Sequence, residues 1–219
     1  MDVFEALQKR HSVRAFQQRE VPREVLERIF SAAQLAPSWC NIQPWRVVVT
    51  SGERTKALAE VLVAAALGGR ASADFPWQSL YPEPYDTHRK QCGVALYTAM
   101  GVARGDLEGR KSAWLRNFEG FGAPHIAMVG LDKRMMPYAA IDVGCWLQSV
   151  LLTATAEGVG ACAQAALATQ VDAVRPLLQW DEHVGLFFGI SLGYEDVDAA
   201  VNTARTTRSP LSDNVRFDP

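Results

Sequence analysis

The sequence has 219 residues, of which 48% are hydrophobic and 21% charged, and it contains 16 glycines and 11 prolines. These fractions exclude a disordered chain, a collagen-like fibre and a coiled coil. The formal net charge of −2 shows no basic excess of the kind that nucleic-acid-binding proteins carry. The four cysteines form no C-x-x-C pair, and the N-terminus has no apolar signal core. We therefore expect a soluble cytoplasmic enzyme or binding protein, with no nucleic-acid or membrane partner.

Apolar spacing and helix-breaking residues predict four elements in the first 67 residues. Asp2 is a suitable N-cap, and Pro22 suits the first turn of a helix because its missing N–H is not needed there. The β-branched run WRVVVT predicts a strand. The predicted elements are a helix over 3–10, a helix from Pro22 to the break at Pro37, a strand over 45–50, and a helix capped by Ser51 that runs to Leu67.

Residues 68–85 are rich in proline and aromatic residues and show neither a helical nor a strand period. A segment of this length without secondary structure, inside a compact domain, is typical of a lid or a binding loop. We therefore predict a lid-like loop over about 68–85 within a single α+β domain that spans 1–219.

The rest of the chain alternates helical and strand patterns and ends in an irregular tail from Gly193. The predicted elements are helices over 85–104 and 107–118, a strand over 125–131, a helix over 138–157, a strand over 160–164, a helix capped by Thr169 that ends near Trp180, and a strand over 185–192. The helix over 138–157 is apolar along nearly its whole length and long enough to cross a bilayer. Because Asp142 and Gln148 interrupt it, we interpret it as a central buried helix and a candidate for a subunit interface.

Motifs for metal binding, nucleophilic catalysis and dinucleotide binding are missing or lack their context. The four histidines stand apart from other potential ligands, and no G-x-S-x-G is present. The segment 158–163 satisfies G-x-G-x-x-A, but it follows a helix, whereas the dinucleotide fingerprint follows a strand. The sequence therefore predicts no metal site and no Rossmann-type site.

Arg10, Ser12 and Arg14 occupy alternate positions just after the first predicted helix. In an extended loop, residues two apart point the same way, so these three side chains can converge on one anion. Arginine suits a phosphate because its planar guanidinium donates two parallel hydrogen bonds. A solvated basic loop remains the alternative on these residues alone.

The segment APSWCNIQPW, residues 36–45, places serine, asparagine and glutamine between two prolines and two tryptophans. The prolines stiffen the loop, so its polar groups lose little entropy when they bind a ligand. Asparagine and glutamine both donate and accept hydrogen bonds, which suits the mixed edge of a heterocycle. The pattern indicates a ligand-binding loop.

Four motifs together resemble the nitroreductase family of flavin-dependent oxidoreductases. The matches are R-x-S-x-R at Arg10, Ser12 and Arg14, A-P-S-x-x-N-x-Q-P-W at 36–45, G-x-G-x-C-x-Q at 158–164, and N-x-x-R-x-x-R-x-P at Asn202, Arg205, Arg208 and Pro210. The resemblance spans nearly the whole chain in the family's order. It implies an α+β fold with a central, mostly antiparallel sheet flanked by helices, and a homodimer that exchanges C-terminal segments.

The same resemblance implies one FMN at each side of the dimer interface and assigns residues to it. The implied cofactor-binding residues are Arg10, Ser12, Arg205 and Arg208 at the phosphate with His11 beside them, Arg14 near the pyrimidine edge, Pro37, Ser38, Asn41 and Gln43 from the other subunit, and Ala163, Gln164 and Ala165 along the ring. A backbone N–H of Gln164 or Ala165 is expected to face N5. No catalytic side chain is implied, because the flavin carries the chemistry.

The implied reaction is a ping-pong hydride transfer in which NADH or NADPH reduces the flavin and a nitroaromatic or quinone acceptor then oxidises it. Flat rings stack on aromatic side chains, so we predict a substrate slot lined by Trp77, Tyr81, Tyr85, Trp114, Phe118 and Phe121. Arg89 and Arg116 either pair with a substrate carboxylate or lie on solvated helix faces. The alternatives are another reaction on the same fold (reductive dehalogenation, enone reduction or flavin breakdown) and a flavin-binding redox sensor without turnover.

Overall fold

A four-stranded antiparallel sheet organises the part of the chain that the computed structural model describes, residues 1–135 and 137–218. The strands are β1 (Arg46–Ser51), β2 (His125–Asp132), β3 (Gly160–Gln164) and β4 (Val184–Gly193), in the spatial order β1-β2-β4-β3. The predicted α+β class with an antiparallel sheet flanked by helices is confirmed. Because β1 and β3 lie at the two edges, each leaves one side open to another segment.

Eight α-helices surround this sheet within the described residues. They are α1 (Val3–Lys9), α2 (Arg23–Ala33), α3 (Glu53–Leu67), α4 (Tyr85–Ala99), α5 (Leu107–Leu115), α6 (Tyr138–Ala156), α7 (Val171–Leu178) and α8 (Leu211–Asn214). Asp2 caps α1 as predicted, since its carboxylate accepts the Glu5 N–H at 2.8 Å. Between α3 and α4 the chain runs without a helix or strand, as expected for the segment that starts at residue 68.

Two predicted helix caps are wrong, for local reasons. Gly52, with φ 55°, is the N-cap of α3, and Ser51 instead ends β1 with its hydroxyl 2.7 Å from Nδ1 of His125. Thr169 closes a 3-10 turn over Ala165–Thr169 and donates its hydroxyl hydrogen bond to the Ala166 carbonyl at 2.7 Å. The N-cap of α7 is therefore Gln170.

Predicted helices also run too far in two places, and the tail is more ordered than predicted. α4 ends at Ala99 rather than 104, followed by Gly101 at φ 69°. α5 ends at Leu115 rather than 118, and the chain turns sharply through Phe121 at φ 56°. The predicted irregular tail contains the short helix α8.

Both faces of the sheet are covered, which the strand sequences show directly. Along β2, Ala127, Val129 and Leu131 pack on the side of α2 and α6, whereas Ile126 and Met128 pack on the side of α3 and α7. This period-two alternation puts a hydrophobic layer on each side of the sheet. The sheet is thus a rigid support. The polar residues predicted for the site lie along its free edges and in its loops.

The apolar helix α6 buries only one of its faces, so its interpretation as a central buried helix is right for that face alone. One face packs inward, with Val143, Trp146 and Val150 nearly inaccessible to solvent. The other face exposes Tyr138 and Ile141 at 58% and 63%. By length and composition α6 is the one described helix that qualifies as a membrane span, as core helices of soluble proteins also do.

Candidate functional site

The segment that carries Arg10, Ser12 and Arg14 lies along the free edge of β3. Ser12 forms a parallel bridge with Ala161, and the Val13 N–H donates to the Ala161 carbonyl at 3.1 Å. Val13 is only 2% exposed, so its side chain faces the interior. Its polar neighbours therefore point to the opposite side, as the alternation in the sequence predicts.

Asn202 joins the two ends of the chain at this edge, a role that the sequence analysis missed. Its side chain is buried; Oδ1 accepts the Arg14 N–H at 2.7 Å, and Nδ2 donates to the carbonyls of Ala15 and Asp196, both at 2.9 Å. An amide that satisfies three backbone groups fixes the tail against the N-terminal segment. The N-x-x-R-x-x-R pattern was the available signal, because Asn202 precedes the two tail arginines.

The result is a single cavity of about 380 Å³, here called the arginine cavity. Its lining includes Arg10, Ser12 and Arg14 from one end of the chain and Arg205 and Arg208 from the other. Among the described residues, none of these four guanidinium groups has a carboxylate within 4.0 Å. Four uncompensated positive charges around a concave surface create a strong field for anions.

His11 and α4 complete the walls of the arginine cavity. The ring of His11 lies 2.9 Å from the Lys9 carbonyl through Nδ1 and 2.9 Å from Oε1 of Glu195 through Nε2. Both ring nitrogens thus serve to hold the loop. Cys92, Ala95 and Leu96 of α4 also line the cavity and were missed, since nothing in the α4 sequence distinguishes that face.

The end of β3 offers a small, flat surface beside the cavity. Ala163 and Ala165 are exposed, while Gln164 between them is buried. The Gln164 amide donates to the Asn117 carbonyl at 2.9 Å, and its oxygen accepts the Ser191 hydroxyl at 2.5 Å. With that side chain engaged inside, only backbone and methyl groups remain outside, and a planar ring can approach them closely.

Neither a thiol nucleophile nor a metal centre emerges in this region. Burial raises the pKa of the Cys162 thiol, and the nearby Arg14 and Ser12 only partly offset that effect. The side chain therefore stays a neutral thiol. Residues 1–135 and 137–218 contain no group of three histidine, cysteine or acidic side chains that is arranged to hold a metal ion.

The loop that contains Pro37, Ser38, Asn41 and Gln43 is exposed and unusually shaped. Asn41 and Gln43 have φ values of 56° and 47°, a conformation that non-glycine residues rarely adopt outside turns and functional sites. The Gln43 N–H donates to Oγ of Ser38 at 3.0 Å, which holds the loop closed. None of its residues is among those that line the arginine cavity of the same chain.

An anchor inside the protein fixes this polar loop. The Trp39 N–H donates to Oδ1 of Asp142 at 3.1 Å, and Asp142 is 7% exposed on the inner face of α6. Trp39 itself is 59% exposed and stacks edge-on against Tyr138 at 4.9 Å between ring centroids. The loop and the exposed face of α6 therefore form one continuous, partly aromatic surface.

Two of the predicted substrate aromatics, Trp77 and Tyr81, line a second cavity, here called the aromatic slot. It measures about 230 Å³ and lies between the segment 73–81, the turn containing Ala165 and Ala168, and Leu186 and Phe187 of β4. The slot thus reaches Ala165, the residue that directly follows β3.

Polar and aromatic contacts fix the segment 72–75 beneath the slot. Asp74 accepts hydrogen bonds from Arg175 at 2.7 Å and from the Leu186 N–H at 2.8 Å, and Lys133 lies 3.6 Å away. Phe75 packs edge-on against Phe187, with ring centroids 5.3 Å apart. The base of the loop is therefore fixed, while its aromatic tip is open to solvent.

The other four aromatic residues predicted for the slot lie elsewhere. Tyr85, 61% exposed, lines a neighbouring cavity of about 950 Å³ that shares Arg205 and Arg208 with the arginine cavity. Trp114 is 44% exposed and rests on Phe118. Phe118 and Phe121 belong to hydrophobic clusters at 1% and 6% exposure, so their assignment to an open slot is corrected.

Comparison with known proteins places this geometry among related enzymes. The family model described as "Nitroreductase family" matches residues 7–194. Nitroreductase NfnB of Mycolicibacterium smegmatis is 39% identical over 209 residues, which are 95% of this chain and 89% of that protein. A 4-nitrobenzoate reductase of Nocardioides sp. is 34% identical over 223 residues, 99% of this chain and 90% of that protein. The crystal structure of the FMN-dependent NfnB from Mycobacterium smegmatis in complex with NADPH is 37% identical, with a TM-score of 0.95 over 100% of both chains.

Proposed function

This chain belongs to the nitroreductase family, and we propose that it binds FMN and uses NADPH to reduce nitroaromatic compounds. The observation that carries the proposal is the arginine cavity. Arg10, Arg14, Arg205 and Arg208 line it, and within the described part of the chain no carboxylate pairs with them. A phosphomonoester has the charge and the oxygen acceptors that such a donor set requires.

The residues around the cavity fit the phosphate end of FMN. In the proposed assignment Arg10, Arg205, Arg208 and the Ser12 hydroxyl hold the phosphate, and His11 keeps the loop in place. Each charge-assisted hydrogen bond contributes about 1.5–3 kcal/mol, so this set is enough to retain the group firmly. Arg14 is assigned to the ribityl chain and the pyrimidine edge.

The neighbouring surface fits the flat end of the same molecule. Exposed Ala163 and Ala165 leave room for a planar ring, and a backbone N–H of Gln164 or Ala165 is assigned to N5. When bound there, FMN supplies the hydride chemistry between a nicotinamide and an aromatic acceptor. The protein's part is to hold and orient both ligands and to exclude water, with Trp77 and Tyr81 stacking on the acceptor.

We further propose that the protein is a homodimer and that Pro37, Ser38, Asn41 and Gln43 reach the flavin of the partner. The exposed Tyr138 and Ile141 of α6 form an apolar surface continuous with this loop. A surface of that kind is typical of an interface between subunits.

The exchanged C-terminal segment has a suitable place in this assembly. A groove of about 520 Å³ runs between the free edge of β1, at Val49 and Ser51, and α2, at Leu26 and Phe30. Val215 and Phe217 near the chain end are exposed and supply apolar side chains for it. An extended segment can pair with the open edge of β1 by ordinary strand addition. Four free cysteines support a reducing compartment, and we place the enzyme in the cytoplasm.

The proposal is tested with the purified protein. We expect a yellow preparation with a flavin absorption band, and NADPH oxidation that depends on an added nitroarene such as nitrobenzene. A colourless protein that takes up no FMN on reconstitution contradicts the proposal. Fast flavin reduction by NADPH without turnover of any nitroarene supports a redox sensor instead.

A further inference from the structure

The aromatic slot contains no charged side chain among the described residues that line it. Its polar side-chain groups are the Gln78 amide, the Trp77 indole N–H and the Tyr81 hydroxyl, and the other lining side chains are aromatic or aliphatic. Asp74, between two lining residues, is already paired with Arg175 at 2.7 Å. A carboxylate on a substrate ring therefore finds no free cation inside the slot.

One positive charge at the rim is Arg89, whose Cζ lies 5.2 Å from the centroid of the Tyr81 ring. Its guanidinium is committed to Asp86, to whose Oδ1 it donates from Nε at 3.1 Å and from a terminal nitrogen at 2.7 Å. Lys90 approaches the other oxygen of Asp86 at 2.6 Å. Asp86 thus engages two of the three guanidinium nitrogens that could bind a carboxylated substrate.

The carboxylate of Asp86 is ionised throughout the neutral pH range. Hydrogen bonds from Lys90 and then from Arg89 hold the pKa of Asp86 below its ordinary value. Arg89 therefore remains neutralised under the conditions in which the enzyme works.

We propose that Asp86 makes this enzyme selective for uncharged nitroaromatic compounds by engaging Arg89 at the rim of the aromatic slot. The inference rests on the proposed function and narrows its substrate class. Asp86 acts through Arg89 and is a positioning residue rather than a catalytic one.

The physical reason is the cost of burying an unpaired charge. A neutral nitroarene gives up little hydration when it enters an apolar slot, whereas an arene carboxylate gives up much more and gains no counter-ion there. The absence of a counter-ion in the slot therefore weakens binding of the charged substrate and does not strengthen binding of the neutral one.

The first experiment compares two acceptors of nearly equal shape with the wild-type holoenzyme. 4-Nitrobenzamide is the neutral isostere of 4-nitrobenzoate, so the ratio of their kcat/KM values isolates charge from size. We expect the amide to be used about tenfold better or more. Equal use of the two compounds overturns the proposal while leaving nitroarene reduction itself intact.

The second experiment removes the charge of Asp86. In Asp86→Asn, Arg89 is released, and kcat/KM for 4-nitrobenzoate should rise about two- to fivefold, with 4-nitrobenzamide unchanged. The double variant Asp86→Asn with Arg89→Gln should lose this gain, whereas Asp86→Asn with Lys90→Gln should keep it. A gain that survives Arg89→Gln, or no gain at all, contradicts the role given to Asp86.

A binding measurement separates this inference from the proposed function. Calorimetric dissociation constants of the two compounds report slot selectivity even where no turnover occurs. If neither compound is reduced but the amide binds about tenfold tighter, the proposed function fails and the selectivity stands. Equal affinities of the two compounds contradict the proposed selectivity, whether or not either compound is reduced.

Discussion

Arg10, Arg14, Arg205 and Arg208 line one cavity, and their positive charges repel one another until an anion enters. Asn202 holds the two pairs together by satisfying backbone groups on both sides, so the geometry does not depend on the ligand. The cavity is therefore preorganised, and removal of one cation should weaken binding more than folding.

Replacing Arg10 by glutamine tests this at a single residue. We expect the dissociation constant of FMN, measured by flavin fluorescence titration of the apoprotein, to rise about ten- to hundredfold, since one or two charge-assisted hydrogen bonds are lost. Arg54→Gln is the matched control, because Arg54 is exposed and donates at 3.3 Å to the Leu177 carbonyl, away from the arginine cavity. Equal affinities for Arg10→Gln and wild type remove Arg10 from the phosphate site.

His125 is a buried histidine whose hydrogen bonds define its protonation state. Its Nε2 accepts the Val21 N–H at 2.9 Å, so the proton of the neutral ring sits on Nδ1 and is donated to Ser51. Burial lowers the pKa of His125 below its ordinary value, and Glu20 only partly offsets this. The folded protein thus holds the neutral ring at a pH where the unfolded chain already binds a proton.

A pH dependence of stability follows. As the pH falls below about 6.5, the unfolded chain takes up a proton that His125 in the folded state resists, so unfolding becomes easier. The unfolding free energy should decrease by at most about 1.4 kcal/mol per pH unit from this group. Thermal melting at pH 7.5 and 5.5 should show a smaller loss for His125→Asn than for wild type. The exposed-histidine control His183→Asn should behave like wild type; identical pH slopes for all three contradict the assignment.

Residue patterns predicted some of this site and missed the rest for a clear reason. The alternation of Arg10, Ser12 and Arg14 is local, so the sequence already shows that they share a side. The burial of Phe118 and Phe121 depends on a sharp turn that the chain makes between them, which helix periodicity does not show. Aromatic type alone does not distinguish a core ring from a substrate contact.

Among the elements, the 3-10 turn over Ala165–Thr169 packs closely on β4 because Gly189 has no side chain. A Cβ at Gly189 would lie 3.0 Å from Cβ of Leu167 and closer still to its terminal methyl. Leu167 is fully buried, so it has no room to move. The absence of a side chain at Gly189 therefore lets the turn that carries Ala165 lie close to β4, where Ala165 lines the slot.

Gly189→Ala should lower the free energy of unfolding by about 1–3 kcal/mol through overpacking, measured by chemical denaturation. Gly93→Ala is the counterpart, since a Cβ on α4 meets nothing within 4 Å there. That change should raise stability by about 0.5–1 kcal/mol, because alanine favours a helix more than glycine does. Similar effects of the two substitutions contradict the packing account.

The hydrophobic period and the positions of glycine and proline predict the order and type of the strands and longer helices. They do not predict where these elements end. Ser51 is a good N-cap residue, but its hydroxyl bonds His125, 74 positions away, and Gly52 takes the cap instead. Thr169 is likewise drawn into the preceding turn. Tertiary contacts therefore decide the boundaries that local preference leaves open.

At the scale of the whole molecule, a single chain leaves an apolar face of α6 exposed to solvent. Ile141 is 63% exposed beside Tyr138 and the polar loop, and the proposed dimer covers all three. The polar loop lies outside the arginine cavity of its own chain. Flavin binding and dimerisation should therefore be lost together.

Ile141→Asp tests that link, since a buried aspartate at an apolar interface is costly. Light scattering should show a monomer at micromolar concentration, and FMN affinity should fall about tenfold or more because the partner's loop is missing. Val197→Asp is the control, as Val197 is 75% exposed on the loop after β4. A monomer that keeps full FMN affinity separates the two properties and contradicts the shared site.

The arginine cavity draws its guanidinium groups from two segments that lie far apart in the sequence. A fragment that lacks the segment with Arg205 and Arg208 keeps only two of the four groups. If the cavity holds FMN as proposed, such a fragment should retain the cofactor poorly. The ratio of visible to ultraviolet absorbance should then report the fraction of molecules in a preparation that contain both segments.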